Sequence, residues 1–181
     1  MTTYTAVYPV AQNDTYVKAT TKLSTSFWQY FATDPSKSLT GASNDNSYIS
    51  ANGTQNRFHI DLGSGYVIRR IYYENYNNEG IETQHGVKDF ILQGTNEATA
   101  FAELTYATDT NWTTIGTYQF DIHASADSTD PKYILVTNTV AYRYYACKFI
   151  NSQSSTYQAM RRLVLMTEDG YGSFIPRPIF F

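Results

Sequence analysis

The 181-residue sequence contains a single cysteine, Cys147. One cysteine cannot form a disulfide within the chain, so a small secreted fold held together by disulfides is excluded. Cys147 lies in the apolar stretch YRYYACKFI. Free cysteine in such surroundings behaves as a small hydrophobic residue, and we expect it to be buried.

Long apolar runs and charged residues are also scarce. No stretch approaches the roughly 20 apolar residues that a membrane-spanning helix needs. Only 16% of the residues are charged, the net charge is −3, and the basic residues are scattered or paired, as at Arg69 and Arg70. This distribution provides no electrostatic footprint for nucleic acid. The N-terminal stretch MTTYTAVYPVAQ lacks the basic start and apolar core of a signal peptide, so we expect synthesis in the cytosol.

Patterns that carry catalysis are missing as well. His59, His85 and His123 are far apart, and no local pair has the spacing of metal ligands. No serine lies in a nucleophile-elbow pattern. The stretch GSG at 63–65 leads into a predicted strand rather than the helix that a phosphate-binding loop requires, and we interpret it as a hairpin turn. We predict that the protein is not an enzyme.

Tyrosine is abundant, with 17 copies, and together with threonine, serine and asparagine it favours strands and turns. Phe58, Ile60 and Leu62 alternate with polar residues, which predicts a strand that places His59 on the solvent face. Further strands are predicted at 3–10, 67–75, 87–93, 112–115, 133–137, 142–150 and 162–167, with one helical turn at 98–104. Short strands at regular intervals indicate an all-β sandwich or barrel, and the length suits one domain.

The two ends of the chain differ from its middle. Residues 1–33 are predicted to form an arm or edge strand followed by the aromatic segment SFWQYF. In that segment Trp28 and Tyr30 belong either to a buried core or to a subunit contact. Residues 169–181 form an apolar tail with two prolines that packs either on its own domain or on a partner. The candidate interface residues of this tail are Phe174, Ile175, Phe180 and Phe181.

Three blocks between residues 38 and 168 share a pattern with a known family. The first, RFHIDLGSGYVIRRIYYENY, is an alternating strand ending in Asp-Leu-Gly, followed by a strand of the form IxxIxYxN. The second, GVKDFILQGTNEA with NWTTIG after it, is similar to a GVKxFxLxGSND…W segment, with Trp112 as the tryptophan. The third, AYRYYACKFI followed by RRLVLMTE, is similar to the paired last strands of the family. In this order the blocks resemble the discoidin domain, the coagulation factor V/VIII type C-like module of the galactose-binding-like superfamily.

The resemblance implies an antiparallel jelly-roll β-sandwich over residues 34–168, with a binding surface formed by loops at one end. Relatives bind galactose-type sugars, other glycans, lipid head groups or proteins, usually without catalysis, and the fold does not choose among these ligands. The family often holds a structural calcium ion through an aspartate and a glutamate, but the matching stretches here centre on Thr40 and Val164. Calcium needs anionic oxygen ligands, so we predict no calcium at this site and no cofactor. An early tryptophan of the family is replaced by Tyr48.

Two polar stretches are predicted to form loops at the binding end, NYNNEGIETQHG at 75–86 and NSQSSTYQ at 151–158. Sugar recognition needs flat rings that stack on a pyranose and amide, carboxylate and imidazole groups that bond to its hydroxyls. The alternative is that these are ordinary polar turn residues, placed for backbone reasons. The candidate glycan-binding residues are Tyr76, Asn77, Asn78, Glu79, His85, Asn151, Gln153 and Tyr157.

These patterns favour a non-catalytic surface-binding or structural module. A discoidin-like domain made in the cytosol and rich in tyrosine, threonine and asparagine indicates a bacteriophage virion protein, displayed on the particle surface, that attaches to host-surface glycans. One alternative is a capsid or tail decoration protein whose contacts are purely protein–protein. Another is an accessory carbohydrate-binding module. The expected partners are glycans or other virion proteins, and we expect a homo-oligomer or a subunit docked in an assembly.

Overall fold

A computed structural model describes residues 2–170, which form ten strands, one short α-helix and two 3-10 turns. The strands are β1 (Tyr4–Val7), β2 (Val17–Ala19), β3 (Tyr48–Ile49), β4 (Thr54–Tyr66), β5 (Ile68–Asn75), β6 (Asp89–Thr95), β7 (Thr113–Gln119), β8 (Lys132–Leu135), β9 (Tyr142–Asn151) and β10 (Ala159–Glu168). The helix α1 is Ala98–Ala102, and the 3-10 turns are Gln29–Ala32 and Thr83–His85. Within these residues no helix has the length and apolar character that crossing a bilayer requires. Every predicted strand overlaps an observed one, whereas the short strands β2 and β3 were not predicted.

The strands form two antiparallel sheets packed face to face. One sheet has the order β1-β10-β5-β8, with β3 also paired to β10, and the other has the order β2-β4-β9-β6-β7. The space between the sheets is filled by apolar side chains that are 0% exposed, among them Phe58, Phe90, Phe149 and Ile71. Cys147 is 2% exposed in the same core, as predicted. Burial of this apolar surface is the main stabilising contribution to the fold, and the prediction of an all-β antiparallel sandwich is confirmed.

The connection between β4 and β5 is not the hairpin that the glycines at 63–65 suggested. β4 pairs with β2 and β9, whereas β5 pairs with β10 and β8, so the chain crosses from one sheet to the other after Tyr66. The register against β9 shifts between Asp61 and Tyr66, and Gly63 adopts a φ of 77°, which glycine tolerates best. The last strands, β9 and β10, likewise lie in opposite sheets and do not pair with each other.

The outer face of β4 is covered by residues 98–112, so the prediction that His59 faces solvent is wrong. His59 is 0% exposed, its Nδ1 lies 2.9 Å from the carbonyl oxygen of Phe101, and its ring contacts Trp112 with a centroid distance of 4.9 Å. Burial lowers the pKa of His59 to about 4. A second apolar cluster surrounds it, formed by Ala100, Phe101, Trp112, Tyr144 and Ala146. Alternation therefore predicted the strand but not what covers its polar face.

Charged contacts hold this covering segment against the sheet. The Arg57 guanidinium is 0% exposed and donates to the Thr105 carbonyl at 3.1 Å and to the Asp109 carboxylate at 2.5 Å. Lys148 Nζ donates to the same carboxylate at 2.8 Å. One carboxylate thus pairs with two cations, from β4 and β9, and these contacts attach the covering segment to the sheet.

The two loops predicted at the binding end do emerge together. β5 ends beside the start of β10, so the chain leaves one strand and enters the other at the same end of the sandwich. The loop at 151–158 is joined to the loop at 76–88 by a hydrogen bond of 2.8 Å from the backbone N–H of Gln153 to the carbonyl of Gly86. A backbone bridge between Val87 and Ser152 adds to this contact.

Candidate functional site

A cleft of about 220 Å³ lies at this end of the sandwich. Three parts of the chain form its walls: the segment at 23–49, the loop at 76–85 and the loop that carries Tyr157. The lining residues are Leu23, Phe27, Ser43, Asn44, Ile49, Tyr76, Asn78, Glu82, His85 and Tyr157. The structure therefore brings together four of the residues predicted as glycan contacts: Tyr76, Asn78, His85 and Tyr157.

One wall of the cleft is aromatic. The His85 ring lies between the rings of Tyr76 and Tyr157, with centroid distances of 5.8 and 5.3 Å. Nδ1 of His85 lies 2.5 Å from Oγ of Ser155, which orients the imidazole. Tyr157 is only half-buried and packs with Phe27 against a small apolar cluster. This wall can offer ring faces to a flat apolar ligand surface.

Tyr76 forms the back of the cleft. It is 1% exposed, and its hydroxyl donates a hydrogen bond of 2.9 Å to Oγ of Ser43. Burial is the main cause that raises the pKa of Tyr76, so its phenol stays protonated at neutral pH. The hydroxyl links two walls of the cleft and fixes their separation.

A tight turn at 78–82 supplies the polar rim. The backbone N–H of Asn78 donates to the carbonyl of Ile81 at 2.9 Å, and the reverse bond is also 2.9 Å. The Asn78 side chain accepts from the backbone N–H of Ser43 at 3.0 Å and donates to Oε2 of Glu82 at 3.1 Å. Glu82 itself is exposed, with a left-handed φ of 58°. The amide is thus anchored while the carboxylate stays at the rim.

The remaining wall comes from residues that sequence reasoning did not select. The backbone N–H of Leu23 donates to the carbonyl of Ile49 at 2.8 Å, and that of Asp45 donates to the carbonyl of Ser26 at 2.8 Å. These bonds place Phe27 beside the aromatic wall. The missed lining residues are Leu23, Phe27, Ser43, Asn44, Ile49 and Glu82. Only Phe27, within the aromatic segment, and Glu82, within the predicted loop, carried a sequence signal.

Asn77 and Glu79 do not reach the cleft, although both were predicted as glycan contacts. Asn77 is 0% exposed, and its Nδ2 lies 3.2 Å from Nε2 of the buried His123. Glu79 is exposed at the tip of the turn with a φ of 53°, outside the cleft lining. In an extended segment neighbouring side chains point to opposite sides, so Asn77 faces the interior where Asn78 faces the cleft.

Asn151 and Gln153 also lie outside the cleft lining, in structural contacts. Asn151 Nδ2 donates to the Asp89 carboxylate at 2.8 Å, and Asn151 Oδ1 accepts from the Asp89 backbone N–H at 2.9 Å. Gln153 Nε2 donates to the carbonyls of Val87 and Phe120, at 3.1 and 2.8 Å. Their amides satisfy strand ends, which is the ordinary role of polar turn residues.

The loop that corresponds to the family's calcium turn, around Thr40, is filled by a guanidinium. Arg161 is 0% exposed and donates from Nε to the carbonyl of Asn77 at 3.0 Å and from Nη1 to the carbonyl of Ser38 at 3.1 Å. It also bonds to the carbonyls of Ala42, at 3.3 Å, and Gly41. Within residues 2–170 no group of three or more His, Cys, Asp or Glu side chains could hold a metal ion. Because the Arg161 guanidinium already bonds to these carbonyls, the loop does not fit a calcium ion. The absence of calcium from this site stays a prediction.

Trp28 and Tyr30 lie outside the cleft lining. Their rings stack with a centroid distance of 5.5 Å, and Nζ of Lys22 lies 3.5 Å from the centroid of the Trp28 ring. Tyr30 packs in part on the main core, whereas the half-buried Trp28 lines a separate groove of about 290 Å³. The core role and the subunit contact both stay predictions for these rings. The tail candidates Phe174, Ile175, Phe180 and Phe181 lie outside the described residues.

Several solved structures share this architecture at low sequence identity. The chain is similar to truncated AlyQ with CBM32 and alginate lyase domains, with a TM-score of 0.61 and 17% identity over 93% of this chain. It is similar to the family 32 CBM from C. perfringens NanJ in complex with galactose, with a TM-score of 0.58 and 10% identity over 91% of this chain and 99% of that one. It is also similar to chitosan-binding module 1 of a chitosanase/glucanase from Paenibacillus sp. IK-5, with a TM-score of 0.54 and 17% identity over 82% of this chain and 92% of that one.

These likenesses define the class of fold. The chain has the discoidin-like, galactose-binding-like β-sandwich of carbohydrate-binding module structures, so the resemblance stated from the sequence is confirmed for the fold. It spans 34% of the AlyQ structure, which also includes a lyase domain. No family model matches the sequence, and no curated protein matches it.

Proposed function

We propose that the chain is a non-catalytic carbohydrate-binding module that holds a sugar in the cleft beside Tyr157, His85 and Asn78. The observation that carries this proposal is the composition of that cleft, where a half-buried tyrosine ring stands beside an imidazole, an amide and a carboxylate. A pyranose presents an apolar face and a rim of hydroxyls, so ring stacking and polar groups around it match both features. The position at one end of a sandwich shared with carbohydrate-binding modules supports the proposal.

The size of the cleft indicates a short ligand. Its volume of about 220 Å³ lies below the roughly 300–1,000 Å³ of sites for drug-sized molecules, so we expect one sugar unit to enter. A site that holds one sugar binds weakly. Strong attachment to a glycan surface therefore needs several copies, which fits the predicted homo-oligomer or assembly.

A glycan array tests the proposal with two variants. Tyr157→Ala removes the half-buried ring of the cleft, and we expect it to abolish the signals that the wild-type protein gives. Tyr133→Ala is the matched control, because Tyr133 is 55% exposed on β8 and lies outside the cleft lining. Loss of binding in Tyr157→Ala alone supports the site. Equal binding by both variants overturns the proposed site. So does an absence of binding by the wild-type protein when it is presented in multivalent form.

For the biological setting we propose a bacteriophage virion protein that attaches to host-surface glycans. Its support is the composition, the discoidin-like fold and the glycan-type cleft. The test is adsorption of the fluorescent wild-type protein and of Tyr157→Ala to host cells, together with detection of the chain in purified particles. Presence in particles without glycan-dependent adsorption favours the alternative, a decoration protein with protein–protein contacts only.

An accessory carbohydrate-binding module is the second candidate setting. The observation that favours it is the similarity to AlyQ, where a CBM32 domain and an alginate lyase domain occur in one structure. A carbohydrate-active domain in the same polypeptide or in a stable complex would support this setting. Absence of the chain from purified particles would then separate it from the virion hypothesis.

A further inference from the structure

The charge of the cleft is one-sided. Among the described residues that line it, Glu82 carries the formal charge at neutral pH, and no lysine or arginine contributes to the lining. Two other acidic side chains each pair with a cation: Asp61 with Arg143 at 2.8 Å and Asp130 with Lys132 at 2.7 Å. For Glu82 no salt bridge is formed within residues 2–170. The cleft lining thus presents one carboxylate and no cationic side chain, while the buried Arg161 guanidinium acts on Tyr76 from behind the lining.

Glu82 is held where a ligand can reach it. Its backbone carbonyl accepts from the N–H of His85 at 3.0 Å, which starts the 3-10 turn Thr83–His85, and its Oε2 accepts from Asn78 at 3.1 Å. The Tyr76 hydroxyl also interacts with this carboxylate. A carboxylate has about four acceptor positions, so these two contacts leave acceptor capacity for a ligand. The side chain is exposed and lies on the same wall as the Tyr76 and His85 rings.

We infer that the cleft selects sugars that carry a protonated amine, such as glucosamine units, over sugars that carry a carboxylate. This inference rests on the proposed function and names the ligand class for the same cleft. An ammonium group on the sugar ring can donate to Glu82 while the ring stacks on Tyr157, and aromatic faces attract cations as well. A uronate at the same position brings a second negative charge toward Glu82, with no arginine or lysine in the lining to compensate it.

The expected effect is modest because Glu82 is exposed. Solvent screening limits an exposed ion pair to about a fivefold gain in affinity. We therefore expect a glucosamine oligomer to bind about two- to fivefold more tightly than the matching N-acetylglucosamine oligomer, which differs only in amine charge and an acetyl group. An oligogalacturonate of equal length should bind more weakly than either. The gain should decrease as salt concentration rises.

The experiment is isothermal titration of the full chain with these three oligosaccharides, at a pH where the carboxylate and the sugar amine are both charged. Glu82→Gln keeps an acceptor for Asn78 and removes the charge, so the ratio of the affinities for the glucosamine and N-acetylglucosamine oligomers should fall to about one. Glu79→Gln is the matched control. It removes the same charge from the same turn, but Glu79 lies outside the cleft lining.

The outcomes separate the two proposals. Loss of the amine preference in Glu82→Gln alone supports the inference. Binding of neutral and amino oligomers with equal affinity, while Tyr157→Ala still abolishes binding, overturns the specificity and leaves the proposed function standing. If Glu79→Gln and Glu82→Gln reduce the amine preference equally, the preference comes from the general negative charge of the turn and not from a contact with Glu82. That result overturns the inference. Absence of binding to all three oligosaccharides and to the array overturns both proposals.

Discussion

Replacing Arg161 with methionine should lower the free energy of unfolding by about 3 kcal/mol. The guanidinium is 0% exposed and donates to carbonyls of the 38–42 loop and of Asn77. Each hydrogen bond to a charged group contributes roughly 1.5–3 kcal/mol. Two effects offset part of the loss. The variant no longer buries a charge, and water can reach the carbonyls of the exposed Ser38 and Ala42.

Thermal unfolding is the assay. For a domain of this length, 1 kcal/mol shifts Tm by about 2–4 °C, so Arg161→Met should lower Tm by roughly 6–12 °C. Arg70→Met is the control, because the half-exposed Arg70 guanidinium lies over the rings of Tyr4 and Tyr133, and its loss should cost less than about 1 kcal/mol. A change below about 0.5 kcal/mol for Arg161→Met, the range of ordinary surface substitutions, would refute the reasoning.

The same position predicts the response to calcium. The Arg161 guanidinium already donates to the loop carbonyls and places a positive charge there, so a second cation is disfavoured. Calcium or a chelator should therefore not move the Tm of the wild-type protein. A ligand that binds the folded state raises its stability with concentration. A calcium-dependent rise in Tm would therefore contradict the role given to Arg161.

Two further predictions concern stability. Burial lowers the pKa of His59 to about 4 in the folded protein, whereas the imidazole has a pKa of about 6.5 in the unfolded chain. The unfolded state therefore binds the proton first as pH falls. Protonation of His59 should therefore lower the free energy of unfolding by about 3 kcal/mol as pH falls from 6.5 to 4. In denaturant titrations, His59→Gln should flatten that part of the pH profile. An unchanged slope would contradict this prediction. Gly80→Ala should destabilise the turn beside the cleft by about 2 kcal/mol or more, because φ is 80° and the new Cβ would lie 2.6 Å from the backbone of Ala126. Gly170→Ala, with φ of 98° and nothing within 4 Å of the new Cβ, is its control, and equal unfolding free energies of the two variants would contradict the clash.

Local pattern determined which segments become strands. The alternation in β4, the apolar residues of β5, β9 and β10 and the helical turn of α1 were all predicted from neighbours in sequence, because side-chain period and turn chemistry are local properties. The resemblance to the discoidin domain then predicted that these strands form a β-sandwich, which the structure confirms. Pattern did not show which sheet each strand joins, so the step from β4 to β5 was misread as a hairpin.

The candidate site shows the same division. The composition of two loops gave eight candidate residues, because sugar recognition requires certain side-chain types. Four of them line the cleft, namely Tyr76, Asn78, His85 and Tyr157, and their contact with a sugar stays a prediction. Tertiary structure alone decided that Asn77 turns inward, and that the 23–49 segment closes the cleft with Phe27 and the backbone around it. A cleft is a set of contacts between residues distant in sequence. The direction of each side chain depends on packing against residues distant in sequence, which a local pattern does not contain. For this reason His59, a polar residue in the alternation of β4, is buried under a segment about 40 residues further along the chain.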